Sequence, residues 1–414
     1  MVGMRRSLMT VVVAAVIAPM ALAGCGDKQK AAAAATPAAS AGASSAPSAE
    51  SATVPITLSV TPASGKTDVP TSAEVGFQVS GAKVTSVTLT DSKGKAVSGA
   101  LRDDGSSWVP GKTLKTKETY AASVVATSDR GLTKTVRTSF TTMGAPAHRT
   151  GTGLYLFDDH TYGVAMPVVA EFNPGIKKAD RAAVQKRMFV RTDPPQPGVW
   201  SWTSSGTQAY YRAPEYWQPG TRLTVRIAVG GLATGGGRYG DRDRSAVAKI
   251  GRKLEMNVDN ATKKMTVLQD GQVVKTMPVS LGRPSKPSVS GTMVIMDKQT
   301  QTVFDTTDTA GSAGYRVNIQ YAQRLTWSGQ FVHSAPWSVG AQGHRNVSHG
   351  CVNVSPSNAV WLFNRSLIGD PVVVKGTGTK LAYGDGWTPW NVSWDEFVKG
   401  SALPVPHLAE VITP

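Results

Sequence analysis

Cys351 is one of two cysteines in a chain of 414 residues. It follows Ser348-His349-Gly350 and precedes Val352-Asn353, and a second histidine, His333, lies eighteen positions upstream with Ser334 beside it. A thiol among imidazoles is the material of nucleophilic catalysis. The thiolate attacks and the thiol does not, so a working cysteine needs a nearby base or cation to bring it below its usual pKa of about 8.5. Cys351 is therefore the expected nucleophile. The residues alone leave two candidate bases, because positions two apart on an extended strand share a face, while a local turn could aim either His333 or His349 at the sulfur.

The other cysteine belongs to a leader. Arg5 and Arg6 form a basic start, residues 8–21 are apolar, and Leu22-Ala23-Gly24-Cys25 has the small residues that a processing peptidase needs. This ending resembles the bacterial lipobox, in which the Cys is acylated, so Cys25 is the expected lipidation site and the chain is expected to be exported and lipid-anchored at the outer face of the cytoplasmic membrane. Removing Cys25 from the count leaves Cys351 with no intramolecular disulfide partner. An unpaired thiol in an oxidising compartment is a hazard unless it does chemistry.

The formal charge is +16, from 44 Lys and Arg against 28 Asp and Glu, which favours an anionic partner. The basic residues are scattered, and no Lys/Arg cluster alternates with aromatics as a nucleic-acid groove requires, so no nucleic-acid partner is expected.

The elements that must carry the thiol read as mainly β. After the leader at 1–25 comes an Ala/Ser/Pro-rich stretch over 26–53, which cannot bury enough apolar area to offset chain entropy and reads as a disordered tether. Short alternating runs with Gly, Pro, Asp and Ser between them place a first immunoglobulin-like sandwich at 54–145, where Tyr120 sits like the tyrosine corner of such folds. A second follows at 146–250, interrupted by one helix over residues 177–186. Its aromatics, Trp200, Trp202, Tyr210, Tyr211, Tyr216 and Trp217, suit a sandwich core better than a glycan platform. The Gly-rich residues 232–239 lack the ending and context of a phosphate loop and read as a flexible loop.

The third domain, 251–375, opens with two β-type runs joined by Asp270-Gly271, a strong hairpin signal. After Cys351, Ser355 as N-cap and Pro356 at the first helical position begin a helix expected to stop by Gly369. A Trp-rich tail occupies 376–414. In it Ser393 and Glu396 form a capping box, and Trp387, Trp390, Trp394 and Phe397 fall at helical spacing, as one aromatic face expected to dock on the third domain.

The stretch from Phe331-Val-His-Ser-Ala-Pro-Trp-Ser-Val-Gly to Ser348-His-Gly-Cys-Val-Asn resembles the L,D-transpeptidases with a YkuD-type catalytic domain, and the preceding sandwiches and the tail resemble their mycobacterial lipoprotein members. The resemblance implies acyl transfer on peptidoglycan tetrapeptide stems, donor and acceptor, without cofactor or metal. Cys351 would attack the third-residue diaminopimelate carbonyl, release D-Ala, and pass the acyl group to another stem's diaminopimelate amine; carbapenems would acylate the same thiol. It further implies His333 as general base and acid, Ser334 as its orienting partner, and His349 as a structural or oxyanion-side residue. Backbone N–H groups of Gly350 and Cys351 would face the oxyanion, and Tyr315, Ser328, Gly329 and Asn353 would contact the stem, with a lid over residues 305–314. Hydrolysis by an L,D-carboxypeptidase and an inert wall-binding scaffold are the competing readings. A papain-like protease is excluded by the order and local context of its Cys and His.

Overall fold

Along the strand Thr119–Thr127, Tyr120, Ala122, Val124 and Ala126 are buried while Thr119 and Ala121 face solvent, the period-two pattern of a sheet with one wet face. Repeated through the chain, this pattern builds three successive pairs of sheets. The computed structural model describes residues 55–305 and 316–405. The leader with Cys25, the tether, Tyr315 and the expected lid from residue 306 on lie outside the described residues.

In the first sandwich one sheet runs Thr57–Thr61, Val75–Ser80, Ser107–Pro110, Gly99–Leu101, and the other Lys66–Val69, Thr133–Thr142, Thr119–Thr127, Lys83–Asp91. Between them lie Val75, Leu89, Trp108, Val124 and Phe140. The Tyr120 hydroxyl accepts from the Lys115 N–H at 3.0 Å, so the corner read from the sequence is formed.

The second sandwich packs a four-stranded sheet containing Arg222–Ile227 and Arg244–Ile250 on a six-stranded one containing Val168–Asn173 and Gln208–Arg212. Its aromatics are core: Trp200, Trp202, Tyr210, Tyr211 and Trp217 are buried, and Trp217 Nε1 donates to Met166 O at 2.7 Å. The helix is shorter than expected, a 3-10 turn Lys178–Asp180 followed by Arg181–Gln185. Residues 232–239 are no flexible loop. They form a hairpin, Ala233–Gly235 with Arg238–Gly240, whose turn passes through Gly235, Gly236 and Gly237 at positive φ, a conformation open to glycine.

The joint between the sandwiches is ionic. Glu74 of the first accepts from Arg102 Nε at 2.8 Å, from Ser107 Oγ and from Arg187 of the second, and Arg226 Nη1 donates to Pro110 O at 2.7 Å.

The third domain pairs the sheet Gln272–Pro278, Lys264–Gln269, Leu254–Asp259, Pro371–Lys375, Gly291–Val294 with the sheet Asp297–Asp305, Arg316–Arg324, Phe331–Ser334, Val352–Val354. Asp270 and Gly271 both take positive φ, as a two-residue hairpin turn demands. The helix Pro356–Arg365 starts as read, with Ser355 Oγ accepting from Asn358 N at 3.4 Å. It stops four residues before Gly369, where Ser366 turns extended and Lys298 Nζ caps the Phe363 carbonyl at 2.6 Å.

The tail departs from expectation. Among its described residues only Trp394–Val398 is α-helical, Trp390 lies in the 3-10 turn Pro389–Asn391, and Trp387 precedes both. Trp387 and Phe397 join the core cluster of the second sandwich, with Trp390 and Trp394 packed against it, while Leu381 and Met296 tie the seam to the third domain. The reason is Arg212. Its guanidinium lies over the rings of Trp390, Trp394 and Phe397 at 4.6, 5.2 and 4.4 Å, and donates to the Pro389 and Val392 carbonyls at 3.1 Å each.

Candidate active site

Two adjacent strands carry the reactive groups. Phe331–Ser334 and Val352–Val354 pair in parallel with Val332 opposite Val352 and His333 opposite Asn353. Parallel pairing needs a long crossover, which the chain makes through the 3-10 turn Pro336–Ser338 and the loop ending at Gly350. Val332, Val352 and Val354 point into the main core, so alternation sends Phe331, His333 and Asn353 to the opposite face. Cys351 belongs there too, clustered with Phe331, Ile319 and Ala322. Thus the thiol, on the residue just before the strand Val352–Val354, and His333, on its neighbour, lie toward one face of the sheet.

Both are buried, Cys351 at 7% exposure and His333 at 4%. The His333 Nδ1 lies 2.8 Å from the Ser334 carbonyl oxygen. A carbonyl only accepts, so the proton is on Nδ1 and Nε2 presents a lone pair. Ser334, the expected orienting partner, meets the ring through its backbone carbonyl. Burial lowers the His333 pKa below the ordinary 6.5, against the raising effect of the Ser334 carbonyl, and keeps the ring neutral.

The thiol is not depressed as the sequence led one to expect. Burial pushes Cys351 up to about 11, with the Phe331 N–H pulling the other way, and Sγ sits 3.8 Å from the Gly329 carbonyl. Among the described residues no cation acts on the thiol, so burial disfavours its thiolate, as it disfavours the charged form of the His333 ring.

The Ser348–Cys351 turn is stapled by one hydroxyl. Ser348 Oγ donates to Cys351 O at 2.7 Å and accepts from Gly350 N at 3.1 Å. The Gly350 N–H is therefore already engaged, contrary to its expected place as an oxyanion donor. Gly350 has φ +128, and its carbonyl accepts from Ser288 Oγ at 2.6 Å. His349 is exposed, and its pKa is lowered by partial burial and by the charges of Arg283 and Lys286. His333, not His349, shares the buried face of the thiol.

Of the expected stem contacts, Asn353 is buried at 2% exposure, with Nδ2 donating to Ser338 Oγ at 3.1 Å and Oδ1 without a protein partner. Ser328 is exposed, and both its N–H and Oγ donate to Asp385, at 2.8 and 2.6 Å. Gly329 holds φ +94 beside the Phe304 ring, where any Cβ would meet ring carbons at 3.2 and 3.4 Å.

Residues 255–374 match the model of the L,D-transpeptidase catalytic domain, and residues 66–233 that of a bacterial Ig domain. L,D-transpeptidase 2 of Mycobacterium tuberculosis is 35% identical over 352 residues, spanning 84% of this chain and 85% of the relative. The chain belongs to the L,D-transpeptidases. L,D-transpeptidase 5 of the same organism is 34% identical over 358 residues, 84% of this chain and 78% of the relative. A solved L,D-transpeptidase, LdtMt1 in complex with imipenem, has 34% identity and a TM-score of 0.47, covering 56% of this chain and all of that one (100%).

Several groups of this L,D-transpeptidase's site escape sequence reading. Trp337 lies with its ring 5.9 Å from that of His333 and 59% exposed. Ser338 gathers Asn353 and Gln342, while the Phe331 N–H and the Gly329 carbonyl face the sulfur. Backbone donors and acceptors have no signature in residue type. Ser338, by contrast, lay within the quoted motif, and its small hydroxyl in a Pro-Trp-Ser turn was the available signal.

Proposed function

We propose that this L,D-transpeptidase works through a Cys351 acyl-enzyme and links third-position diaminopimelate residues of peptidoglycan stems. The observation that carries this is the pair of buried groups near one sheet face, a thiol and an imidazole whose Nδ1 is engaged by the Ser334 carbonyl, leaving Nε2 to accept a proton. As Cys351 Sγ adds to the carbonyl of the third residue, the thiol proton passes to His333 Nε2. The imidazolium returns that proton to the nitrogen of the departing D-Ala, leaving a thioester on Cys351. The side-chain amine of a second stem's diaminopimelate then attacks the thioester. Its proton goes to His333 and on to the sulfur, so that the neutral pair is restored.

A high thiol pKa suits this order. Ionisation waits until a substrate carbonyl is present to take the charge, which spares a lone thiolate from oxidation. The Phe331 N–H, fixed in the sheet beside the sulfur, is a donor at the reacting centre. The strained amide of a carbapenem would be opened by the same attack, giving a stable adduct. The leader ending in Cys25 supports export and a lipid anchor on the outer face of the cytoplasmic membrane, with the tether reaching toward the wall.

Tetrapeptide donor with a diaminopimelate acceptor should yield cross-linked dimer and free D-Ala, together with a carbapenem mass adduct, and Cys351→Ala should abolish all three. An adduct on the alanine variant would refute the assignment. Tripeptide without dimer would assign hydrolysis instead.

A further inference from the structure

Ser328 and Gly329 form the tip of a turn whose inner bonds are local. Leu325 N donates to Gln330 O at 2.9 Å, Gln330 N to Thr326 Oγ at 3.0 Å, and Gly329 N to Thr326 O at 3.3 Å. The turn matters because the Gly329 carbonyl oxygen lies 3.8 Å from Cys351 Sγ, a weak acceptor that lines the space in which the thiol sits. What fixes the tip from outside is Asp385, 57 positions later in the tail, whose two carboxylate oxygens take one bond each from Ser328 N and Ser328 Oγ.

Asp385 is itself anchored. The next residue, Gly386, has φ +105, its added Cβ would lie 2.7 Å from Leu325 O, and its carbonyl accepts from the buried Tyr210 hydroxyl of the second sandwich at 3.0 Å. On the other side, Gly384 N donates to Thr388 Oγ at 2.8 Å. A chain of short contacts therefore runs from Tyr210 through Gly386 and Asp385 to Ser328, Gly329 and the sulfur.

We propose that Asp385 is a positioning residue for the nucleophile, a clamp from the C-terminal tail that sets the 326–330 turn and through it the direction of the Cys351 thiol. Two donors on one carboxylate are charge-assisted bonds with a defined geometry, whereas a lone neutral bond would let the tip swing. Loss of the clamp spreads the sulfur over several orientations. Since a misplacement of about 1 Å can cost on the order of 100-fold in rate, the effect falls on the chemical step. The inference rests on Cys351 being the nucleophile.

The test uses the full chain, with Cys351→Ala as control, Asp385→Ala and Asp385→Asn. Steady-state turnover of tetrapeptide donor and single-turnover carbapenem acylation by mass are measured beside thermal melting. For Asp385→Ala, kcat and the acylation rate constant should drop roughly 10-fold or more, with KM within about two-fold of the parent. Asp385→Asn keeps one acceptor oxygen and should fall between. Unchanged kcat in both variants, or a loss confined to KM, overturns the proposal. Should Asp385→Ala fail to fold, Asp385→Asn decides alone, and parental kcat in it is a refutation. An adduct on Cys351→Ala would instead unseat the nucleophile, a separate failure visible in the control.

Discussion

The Nδ1 of His333 sits 2.8 Å from the carbonyl oxygen of Ser334, and that single bond decides which ring nitrogen is a base. With the proton held on Nδ1, Nε2 is the acceptor. The 15N shifts of the resting enzyme should therefore show a protonated Nδ1 and a bare Nε2 for His333, and the opposite tautomer would remove it as proton acceptor. His333→Ala should cut single-turnover acylation about 100- to 10,000-fold, the range of a lost general base.

The raised thiol makes a second expectation, with a sign. A group at about 11 has little thiolate at neutrality, and its thiolate fraction grows about tenfold per pH unit. Alkylation of Cys351 by iodoacetamide, without substrate, should climb with that slope between about pH 6 and 9. A plateau by pH 7 would mean a preformed thiolate–imidazolium pair.

Ser348 holds the turn that carries Cys351 through both functions of one hydroxyl. Ser348→Ala takes the acceptor from the Gly350 N–H and the hydroxyl donor from the Cys351 carbonyl in a buried turn. A loss of about 2–6 kcal/mol in urea unfolding is expected, at about 1–3 kcal/mol for each of the two buried groups that lose this partner. Acylation should fall with it. A variant as stable and as active as the parent would show the staple to be dispensable.

At the sandwich joint, burial raises the Glu74 carboxyl, but bonds from Arg102, Ser107 and Arg187 outweigh it and bring the pKa down to about 2 from the ordinary 4.5. A depressed carboxylate contributes stability above its unfolded pKa and loses it as pH falls toward the folded one. Between pH 4.5 and 2 the joint should give up at most roughly 3 kcal/mol, less after solvent screening of its exposed side. Glu74→Gln should melt earlier at pH 7 and show a shallower decline from pH 5 to 3. Parallel melting curves for parent and variant would refute this.

The parts legible in the sequence were those with local causes. Asp270-Gly271 sets its own hairpin by backbone conformation, Ser355-Pro356 starts its own helix, and a lone cysteine just after two histidines advertises chemistry wherever the chain goes. The misread parts were decided at a distance. The aromatic spacing of the tail says that a face is buried, not against what, and the partner is an arginine in another domain. Thiol chemistry was read from neighbouring residue types, yet burial between strands sets the pKa of Cys351, and burial has no local spelling. Gly350 looked available as a donor because the hydroxyl that occupies its N–H belongs to a residue read only as part of a motif.

The tail's position has a consequence in time. A chain made from its N-terminus completes both sandwiches and the strands bearing His333 and Cys351 before Trp387, Trp390, Trp394 and Phe397 exist. Until those last residues arrive, the wall of Trp200, Trp202 and Tyr210 that they cover stands open to water and to other chains. A product cut short by a late stop codon or a nick would carry both His333 and Cys351 and yet display an adhesive apolar patch.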